Sequence, residues 1–532
     1  MSFLDDLITK ESENSTKDTL HMDNSTLPEL NSEHDQQCLT PIQDFYKDTN
    51  IFITGSTGFL GKILIEKLLR SCKDVSTLYL LVRSKKGKNV HTRVEEIFDD
   101  IIFERLRKEC PKFRHKVVGI AGDCTLPDLG LSIEDRKLLM DKVNVVFHVA
   151  ATVRFDEKLN IAVAINVRAG RDLLQLAREM KDLKSFIHVS TAFSNCAADL
   201  TEEKFYEPVV DYKKVMMMAE SLPEKMLDKI TPVILDKFPN TYAFTKHVAE
   251  DVVRAEGIGL PVGIVRPSIV VSTYKEPIPA WINNMYGATG VFAGAAVGLL
   301  KVLYCDKNCT ANIVPVDMVV NSVIASGWEI GTEFQKNKNA ETKIYNYESS
   351  NDNPITWEYY MAKSGEYGMP TPSLKAVWYY SFFLTKSRLR YLFTIFFLHT
   401  VPAFLIDGVL LCIGKSPKMV KAYSKIHKFG EVISYFSIRT FYFKSQNIRK
   451  MLEKMTPKDR SIFFCDLKSL NWDEFFKMYG RGVRVHLLQD PMDTVDEARK
   501  KWRRLYWIHQ TVKAVFVFLL LRMLWSIYLC FF

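Results

Sequence analysis

Three glycines spaced as G-x-x-G-x-x-G join a short apolar segment to a segment with helical periodicity. The apolar segment is Asn50–Thr54, and the helical spacing covers Ile63–Leu69. Glycines let the backbone come close to a pyrophosphate, which the amides and dipole at the beginning of the helix then bind. This order predicts a dinucleotide site rather than a plain tight turn. The turn residues expected to contact the cofactor are Gly55, Thr57, Gly58, Phe59, Leu60 and Gly61.

Five further short apolar segments follow, with helical patterns between most of them. The apolar segments are Leu78–Val82, Val117–Ala121, Val143–Val149, Ser185–Val189 and Pro261–Val265. The helical segments are Val94–Arg107, Asn160–Met180 and Ala243–Glu256. Continuous apolar strands alternating with helices are typical of a parallel sheet covered on both faces. The sequence therefore predicts the α/β class, with a doubly wound Rossmann sheet extending to about residue 350.

The residues after the predicted strands bear on which nucleotide binds. An enzyme specific for NAD usually has an acidic residue after the second strand, where it holds the ribose 2′-hydroxyl. Here Arg83, Lys85 and Lys86 follow that strand, so NADPH is favoured, although a solvated basic loop is also consistent. Asp123 follows the third strand, where its carboxylate can reach the adenine amino group or lie in a surface turn. Ala150 follows the fourth strand, where a small side chain lets the cofactor approach the backbone.

Tyr242 and Lys246 form a Y-x-x-x-K pattern at the beginning of a predicted helix. Four residues apart, both side chains project from one helix face. A lysine cation beside a phenol stabilises the phenolate, so we expect a tyrosine of lowered pKa that donates a proton near neutral pH. The pattern is common by chance, and its weight comes from its position downstream of the nucleotide-binding half.

Two hydroxyl residues and one amide complete the candidate catalytic set. Ser190 and Thr191 lie at the carboxyl end of the fifth strand, where ligands bind in such sheets, and a hydroxyl there can hold a substrate carbonyl. Asn166, in the preceding helix, can anchor a water relay to Lys246. The sequence is nearly as consistent with an exposed helical asparagine that has no catalytic role. The ten cysteines are scattered, so no metal site is expected.

The net charge of +9 is unevenly distributed. Residues 1–50 contain 3 lysines and 11 acidic residues, a net charge of −8, which leaves +17 on the remainder. A remainder this basic suits an anionic ligand, a membrane surface or nucleic acid. The acidic first 44 residues are rich in Ser, Asn and Thr and are expected to form a disordered tail.

Two long apolar segments mark the last third of the chain. Ala514–Phe532 has 19 residues with one charge, which at about 1.5 Å per residue suffices to cross a bilayer core. Because a basic cluster at 499–504 precedes it, the positive-inside rule predicts a tail anchor that leaves the rest of the chain in the cytosol, against the alternative of a buried helix. Tyr391–Gly414 contains polar residues and has basic flanks on both sides, so we expect a re-entrant, interfacial or buried segment.

Several motifs together resemble a known family. TGSTGFLGK, HVAA, VSTAF, YAFTK and VRPS resemble those of the extended short-chain dehydrogenase/reductases. More closely, the chain resembles the alcohol-forming fatty acyl-CoA reductases, the male-sterility type, over about residues 45–500. This resemblance implies that NADPH reduces a long-chain acyl-CoA to an aldehyde, and that a second NADPH reduces the aldehyde to a primary alcohol.

The resemblance also implies roles for the candidate residues. Tyr242 would be the proton donor, Lys246 would also hold the nicotinamide ribose, and Thr191 would hold the substrate carbonyl in preference to Ser190. About 50 residues separate Thr191 from Tyr242, a long spacing that agrees with this branch. The methionines at 216–218 in that insert would line an acyl channel or form an ordinary hydrophobic helix face.

The predicted organisation has four parts: a disordered tail (1–44), an NADP-binding reductase domain (45–350), a helical, aromatic-rich domain (351–505) and a membrane anchor (506–532). A Gly- and Ala-rich run at 286–300 is expected to pack near the substrate mouth. The expected partners are a long-chain acyl-CoA and an intracellular membrane; endoplasmic reticulum, lipid droplet and peroxisome are all compatible. The sequence gives no oligomeric state.

Three other functions would each explain part of the sequence. A dehydrogenase of a sterol or other lipid alcohol would share the tyrosine and lysine but lack the long insert. A catalytically silent protein that binds lipid or acyl-CoA would not need Thr191, Tyr242 and Lys246 together. Nucleic-acid binding would use the basic charge, but no matching module is found.

Overall fold

The computed structural model of the protein describes residues 38–84 and 87–531. The predicted disorder of the N-terminal residues falls mostly outside the described ranges, as do Lys85 and Lys86. What is described has a parallel sheet at its centre, helices on both faces of that sheet, and a largely helical C-terminal region.

The central sheet has seven strands, all parallel, in the order β11-β7-β5-β4-β1-β2-β3. Its strands are β1 (Asn50–Thr54), β2 (Thr77–Val82), β3 (Val117–Ala121), β4 (Val145–His148), β5 (Ser185–Val189), β7 (Val262–Pro267) and β11 (Lys343–Tyr347). The strand order reverses between β1 and β4, the arrangement of a doubly wound nucleotide-binding sheet. The predicted fold class is confirmed, and six of the seven strands lie where the apolar runs place them.

Six short strands form three two-stranded parallel sheets outside the central one. They are β6 (Leu200–Thr201), β8 (Ile269–Val271), β9 (Val302–Tyr304), β10 (Ile313–Pro315), β12 (Phe383–Thr385) and β13 (Tyr442–Phe443). The pairs are β8 with β10, β9 with β12 and β6 with β13. The last two pairs join the C-terminal region to segments that precede residue 350. The predicted boundary at 350 therefore lies within continuously packed structure.

The helices of the first 350 residues surround the sheet. They are α1 (Pro41–Tyr46), α2 (Phe59–Ser71), α3 (Val90–Phe98), α4 (Glu104–Glu109), α5 (Ile133–Lys142), α6 (Leu159–Val163), α7 (Ala169–Glu179), α8 (Tyr212–Ser221), α9 (Glu224–Leu235), α10 (Thr241–Glu256), α11 (Gly287–Ala296) and α12 (Val316–Lys336). The single helix predicted over Val94–Arg107 is wrong. It breaks after Phe98, because the Asp100 carboxylate accepts a hydrogen bond from the Ile102 amide and starts a new turn.

Order begins earlier than the sequence predicts. The predicted disordered tail includes residues 41–44, but α1 begins at Pro41 and buries Ile42 and Tyr46. The Thr40 hydroxyl accepts from the Gln43 amide, and the Gln43 side chain accepts in return from the Thr40 amide. This reciprocal capping satisfies amides that the short helix would otherwise leave unpaired.

The C-terminal region is mainly helical. Its helices are α13 (Trp357–Gly368), α14 (Arg388–Ile395), α15 (Val401–Cys412), α16 (Met419–Ser437), α17 (Gln446–Lys454), α18 (Pro457–Ile462), α19 (Trp472–Gly482) and α20 (Val495–Phe531). One buried hydrophobic cluster includes both sheet residues, such as Ile51 and Val265, and C-terminal residues, such as Phe475 and Tyr479. The two parts thus share a core.

Within residues 38–84 and 87–531, two helical stretches are long and apolar enough, by length and composition, to cross a membrane. One is Arg388–Cys412, which consists of α14, a π-turn and α15. Only one face of it packs on the protein, and Phe393, Phe404 and Leu405 are exposed. The buried alternative for this segment is therefore wrong, because most of its large apolar side chains point away from the protein. The re-entrant and interfacial alternatives stay predictions.

The other stretch is the C-terminal helix α20. Its beginning is attached to the protein: Trp378 donates from its indole nitrogen to His509 at 3.0 Å, and the Tyr379 ring packs at a tilt against Trp502 and edge-on against Tyr506. From residue 511 onward, the described side chains are exposed. At about 1.5 Å per residue, 511–531 extends about 32 Å, close to the roughly 30 Å thickness of a bilayer core.

Candidate active site

A cavity of about 850 Å³ lies at the carboxyl ends of β1, β4, β5 and β7. Open α/β sheets bind ligands at this edge, where the strand order reverses. One side of the cavity is lined by the glycine turn and the ends of β2 and β3, and the other by apolar side chains from α11, α13 and α16. The cavity therefore joins a nucleotide-like half to an apolar half.

The glycine turn packs directly against the end of β4. Gly55 has a φ of +74°, and a Cβ there would lie 2.7 Å from the Ala150 nitrogen. A Cβ on Gly61 would lie 2.2 Å from the Gly55 carbonyl oxygen. The Ala150 amide donates to the Thr54 hydroxyl at 3.2 Å, which fixes the strand ends relative to each other. Only glycine fits at 55 and 61, and the backbone there is open to a ligand along the turn. Gly58, Thr57, Phe59 and Leu60 also line the cavity.

Basic side chains border the other end of the nucleotide-like half. Arg83 lines the cavity and lies 3.7 Å from Asp123 as an ion pair; its side chain is 56% exposed. Arg93, on α3, lines the same end and donates to the Arg83 carbonyl oxygen. Sequence reasoning missed Arg93, because only the packing of α3 beside β3 brings it there. Lys85 and Lys86 lie outside the described residues.

Tyr242 and Thr191 meet at the centre of the cavity. Tyr242 is the second residue of α10, which Asn240 caps by accepting from the Ala243 amide at 2.8 Å. Burial raises the pKa of Tyr242 to about 12, and a hydrogen bond with Thr191 partly offsets the rise. The predicted lowering of this pKa is wrong, because burial disfavours the phenolate and Lys246 is not among the groups that shift it. The tyrosine is therefore a hydrogen-bond donor at neutral pH.

Lys246 lies one turn further along α10 and also lines the cavity. Its ammonium donates to the Val189 carbonyl oxygen at 2.8 Å. Burial lowers its pKa to about 8, and the Glu250 carboxylate partly opposes this. The positive charge in turn helps keep the two neighbouring sheet imidazoles neutral: burial and then Lys246 lower the pKa of His148 to about 3, and that of His188 falls well below its ordinary value.

The Ser190 hydroxyl binds the Glu250 carboxylate and not Tyr242. It donates to the Glu250 carboxylate at 2.5 Å, and Ser194 donates to the same carboxylate at 2.8 Å. Arg266 holds that carboxylate through two hydrogen bonds, at 2.9 and 2.6 Å, and both side chains are almost fully buried. Ser190 therefore supports the Glu250–Arg266 pair, whereas the Thr191 hydroxyl, 3.5 Å from the Pro267 carbonyl oxygen, is the one that contacts Tyr242.

Asn166 is buried and is not among the residues that line the cavity. Its side-chain oxygen accepts from the Thr152 amide at 2.9 Å, and its nitrogen donates to the Thr245 hydroxyl at 2.9 Å. It lies in a π-turn at Ala164–Arg168. In this geometry the amide ties the loop after β4 to α10, and the water relay to Lys246 stays a prediction.

Comparison with known proteins agrees with these features. The family model described as "Male sterility protein", an NAD-binding one, matches residues 53–323, and a second model of the same description matches 398–490. The fatty acyl-CoA reductase wat of Drosophila melanogaster is 43% identical over 477 residues, covering 90% of this chain and 91% of its own. Fatty acyl-CoA reductase 1 of Mus musculus is 39% identical, covering 91% and 93%.

The chain belongs to the fatty acyl-CoA reductase family. The family resemblance in the motifs is thereby confirmed, and the sterol-dehydrogenase and silent-binding alternatives lose their support. A solved structure, the reductase domain of a nonribosomal peptide synthetase from Mycobacterium tuberculosis, aligns with a TM-score of 0.54 and 17% identity, covering 84% of this chain and 96% of that one. That likeness shows the fold alone.

The apolar half of the reductase cavity comes from segments far apart in sequence. Ala288 and Val291 of α11, Met361 of α13 and Phe436 of α16 line it. The run at 286–300 thus lies beside the cavity, as the sequence predicts. The described methionines at 216–218 do not line it: Met216 packs in the core and Met217 is exposed. The hydrophobic-face interpretation of the insert is the one that holds.

Sequence reasoning also missed Glu250 and Arg266 of the reductase. Glu250 follows Lys246 by four residues, so the helical spacing that linked Tyr242 to Lys246 extends to it. Arg266 lies in the VRPS motif at the end of β7 and is fully buried. A charged residue in an apolar strand is a signal that a buried partner is present.

Proposed function

We propose that this reductase uses NADPH to reduce long-chain fatty acyl-CoA to a primary alcohol, through an aldehyde held in the same cavity. The observation that carries the proposal is the hydrogen-bonded pair of Thr191 and Tyr242, which lies where the nucleotide-like half of the cavity meets its apolar half. A thioester carbonyl between these hydroxyls would have its chain on the apolar side and a cofactor on the other.

The residues around the nucleotide-like half fit a dinucleotide. The turn leaves no room for a Cβ at Gly55 or Gly61, so its backbone amides at the beginning of α2 can approach a pyrophosphate. Arg83 and Arg93 suit a 2′-phosphate, which supports NADPH over NADH. The buried Ser268 hydroxyl lines the cavity without a hydrogen-bond partner among the described residues; a polar group of the bound ligand would satisfy it.

Bound NADPH would supply the hydride for each of the two reductions. The protein's part is to hold the carbonyl oxygen between the Thr191 and Tyr242 hydroxyls, where both donate to the charge that develops on it. In the first reduction coenzyme A leaves. In the second, the Tyr242 hydroxyl gives its proton to the alkoxide oxygen, which a pKa of about 12 allows. Lys246 supplies a positive charge beneath the pair and is expected to hold the nicotinamide ribose.

We further propose that α20 anchors the protein in an intracellular membrane with the cavity in the cytosol. Five basic residues lie at 499–504, before the exposed apolar part of the helix, and the positive-inside rule places them on the cytosolic side. Protease treatment of sealed microsomes tests this topology. Digestion of residues 415–505 is expected, and their protection would contradict it.

The activity is tested with the full chain in membranes, supplied with NADPH and palmitoyl-CoA or stearoyl-CoA. Mass spectrometry identifies the products, while NADPH oxidation and coenzyme A release are followed together. We expect the primary alcohol, with two NADPH consumed per coenzyme A released. Free aldehyde as the sole product, with one NADPH per coenzyme A, would contradict the proposal. NADH replacing NADPH with equal kcat/KM would contradict the cofactor assignment.

A further inference from the structure

A second, smaller cavity of about 60 Å³ lies between α11 and α16. Its α11 side is formed by Met285, Gly290 and Gly294, followed by leucines of the next segment. Its α16 side is formed by Met419, Ala422, Ile426, Phe429 and Gly430, among others. The hydroxyl of Tyr423, one of the polar groups there, is already used, since it donates to the Leu299 carbonyl oxygen at 3.1 Å. The rest of the surface of this cavity, the seam between α11 and α16, is largely apolar.

The seam and the active-site cavity share two walls. Val291 and Leu303 line both. These two side chains therefore stand where the seam meets the cavity that contains Thr191 and Tyr242.

Helix α16 runs along both spaces with one face. Residues 419, 422, 426, 429 and 430 line the seam, and Ile433 and Phe436 line the active-site cavity. Residues spaced by three and four lie on one side of a helix. From Met419 to Ile433 the helix rises by about 21 Å, at about 1.5 Å per residue. One leaflet of a bilayer core, about 15 Å, is the length that one long acyl chain covers. This face of α16 is therefore as long as a fatty chain, and the seam itself, at about 60 Å³, has room for the end of one.

The far end of the seam reaches the exposed apolar helix. The Asp407 carboxylate of α15 accepts hydrogen bonds from the backbone amides of Lys418, Met419 and Val420, each at 2.9 Å. The beginning of α16 is thus fixed against α15, whose outward side chains Phe404 and Val409 are 61% and 62% exposed. An apolar chain in the seam would lead from this lipid-like surface to the catalytic hydroxyls.

We propose that the seam between α11 and α16 holds the distal part of the substrate's acyl chain, and that Val291 and Leu303 determine which chain lengths are accepted. This inference rests on the proposed acyl-CoA reduction. The competing location is the aromatic wall of the active-site cavity around Trp357 and Met361, and the tests below separate the two.

Gly294 offers a way to fill the seam without disturbing the backbone. A Cβ there would lie 3.5 Å from the Leu300 Cβ, an ordinary contact, whereas a Cβ at Gly290 would lie 2.1 Å from the Met285 carbonyl oxygen. Gly294→Leu therefore adds a side chain to the seam within an existing helix. Ala296→Leu is the matched control, because Ala296 is on the same helix but lines a different small cavity beside Phe292.

The kinetic test compares palmitoyl-CoA with octanoyl-CoA in the full chain. One methylene in an apolar pocket is worth about tenfold or more in kcat/KM. We expect Gly294→Leu to lower the palmitoyl-to-octanoyl ratio of kcat/KM by at least about tenfold, and Ala296→Leu to leave the ratio within about twofold. An unchanged ratio in Gly294→Leu would overturn the inference. Octanoyl-CoA turnover serves as the folding control in each variant.

Photo-crosslinking of the unaltered protein decides the matter even if Gly294→Leu fails to fold. Palmitoyl-CoA with a diazirine at the chain end is irradiated with the protein in detergent, without NADPH. We expect labelled peptides from 285–303 and 419–430. Labelling confined to 357–361 or to segments outside the seam would overturn the inference. If the unaltered protein reduces neither acyl-CoA, the proposed function itself has failed, which is a distinguishable result.

Discussion

Lys246 and Val189 are joined by a hydrogen bond of 2.8 Å from the buried ammonium to the carbonyl oxygen at the end of β5. This bond fixes α10, which bears Tyr242, to the strand that leads into Thr191. The helix and the strand end therefore hold their hydroxyls in one geometry. The charge at that junction titrates unusually low for a lysine, at about 8, because it is buried.

A pH dependence follows from that pKa. Above about pH 8 Lys246 loses its proton, and we expect kcat/KM to fall with rising pH. The folded-state pKa lies below the ordinary value of about 10.4, so between these values the unfolded chain binds more protons and this group makes the free energy of unfolding rise with pH. In measurements from pH 6 to 10, activity should therefore fall above about pH 8, while circular dichroism shows that the protein stays folded. Loss of activity in step with unfolding would contradict this reading.

The fall of kcat/KM above about pH 8 should also depend on Glu250, whose carboxylate opposes the lowering of the Lys246 pKa. Glu250→Gln is expected to move the basic limb to lower pH. Asp251→Asn is the matched control, because Asp251 is the next residue on α10 and pairs with Arg254 instead. A limb that stays in place in Glu250→Gln would assign the titration to another group.

Ser190 and Thr191 are neighbours with separable effects. Removing one donor to a developing oxyanion lowers kcat by about 10²–10³, so we expect Thr191→Ala to lose about a hundredfold in kcat and Thr191→Ser to recover part of it. Ser190→Ala removes a hydrogen bond to the Glu250 carboxylate, worth about 1.5–3 kcal/mol in unfolding free energy, while leaving kcat within about threefold. Both are measured by steady-state kinetics and urea unfolding in detergent. The reverse pattern would exchange their roles.

The buried Arg266–Glu250 pair predicts a large stability effect. Removing one partner of a buried ion pair typically lowers the free energy of unfolding by about 3–5 kcal/mol, which we expect for Arg266→Met. Arg254→Met breaks a partly exposed pair with Asp251 and should lower it by less than about 1 kcal/mol. Urea unfolding in the same detergent compares the two, and equal losses would show that the buried pair is not a support for the site.

Arg83 predicts how the cofactor is distinguished. A charge-assisted hydrogen bond to a 2′-phosphate is worth about 1.5–3 kcal/mol, and solvent exposure of Arg83 places the expected effect near the lower limit. Arg83→Ala should raise KM for NADPH about tenfold and leave KM for NADH unchanged. Lys88→Ala, a nearby exposed cation paired with Glu96, should change neither. Equal increases for both cofactors would assign Arg83 to another part of the nucleotide.

Much of the sheet follows from the sequence because its buried strands are continuous apolar runs. The edge strand β11, Lys-Ile-Tyr-Asn-Tyr, was missed because its polar residues break such a run. They are satisfied by partners far away: Asn346 donates to the carbonyl oxygens of Thr201 and Lys444. The helix α1 was missed because its capping pair lies inside an acidic segment whose composition predicts disorder.

The candidate site was predictable where local spacing carries the chemistry. The glycine turn, Thr191, Tyr242 and Lys246 all come to one cavity. The features of the site that the sequence did not predict depend on burial and on contacts between distant segments. Burial reverses the expected shift of the Tyr242 pKa, Thr152 and Thr245 occupy the Asn166 amide, and the apolar wall is assembled from α11, α13 and α16.

The most direct test of the account is the Tyr242→Phe variant of the full chain, assayed in membranes with NADPH and palmitoyl-CoA. Loss of a general acid lowers rates by about 10²–10⁴, and the phenyl ring preserves the packing against Phe155. We predict that alcohol formation falls by at least about a hundredfold while the Kd for NADPH stays within about threefold. Alcohol production at the unaltered rate would contradict the assignment of Tyr242 and the mechanism built on it.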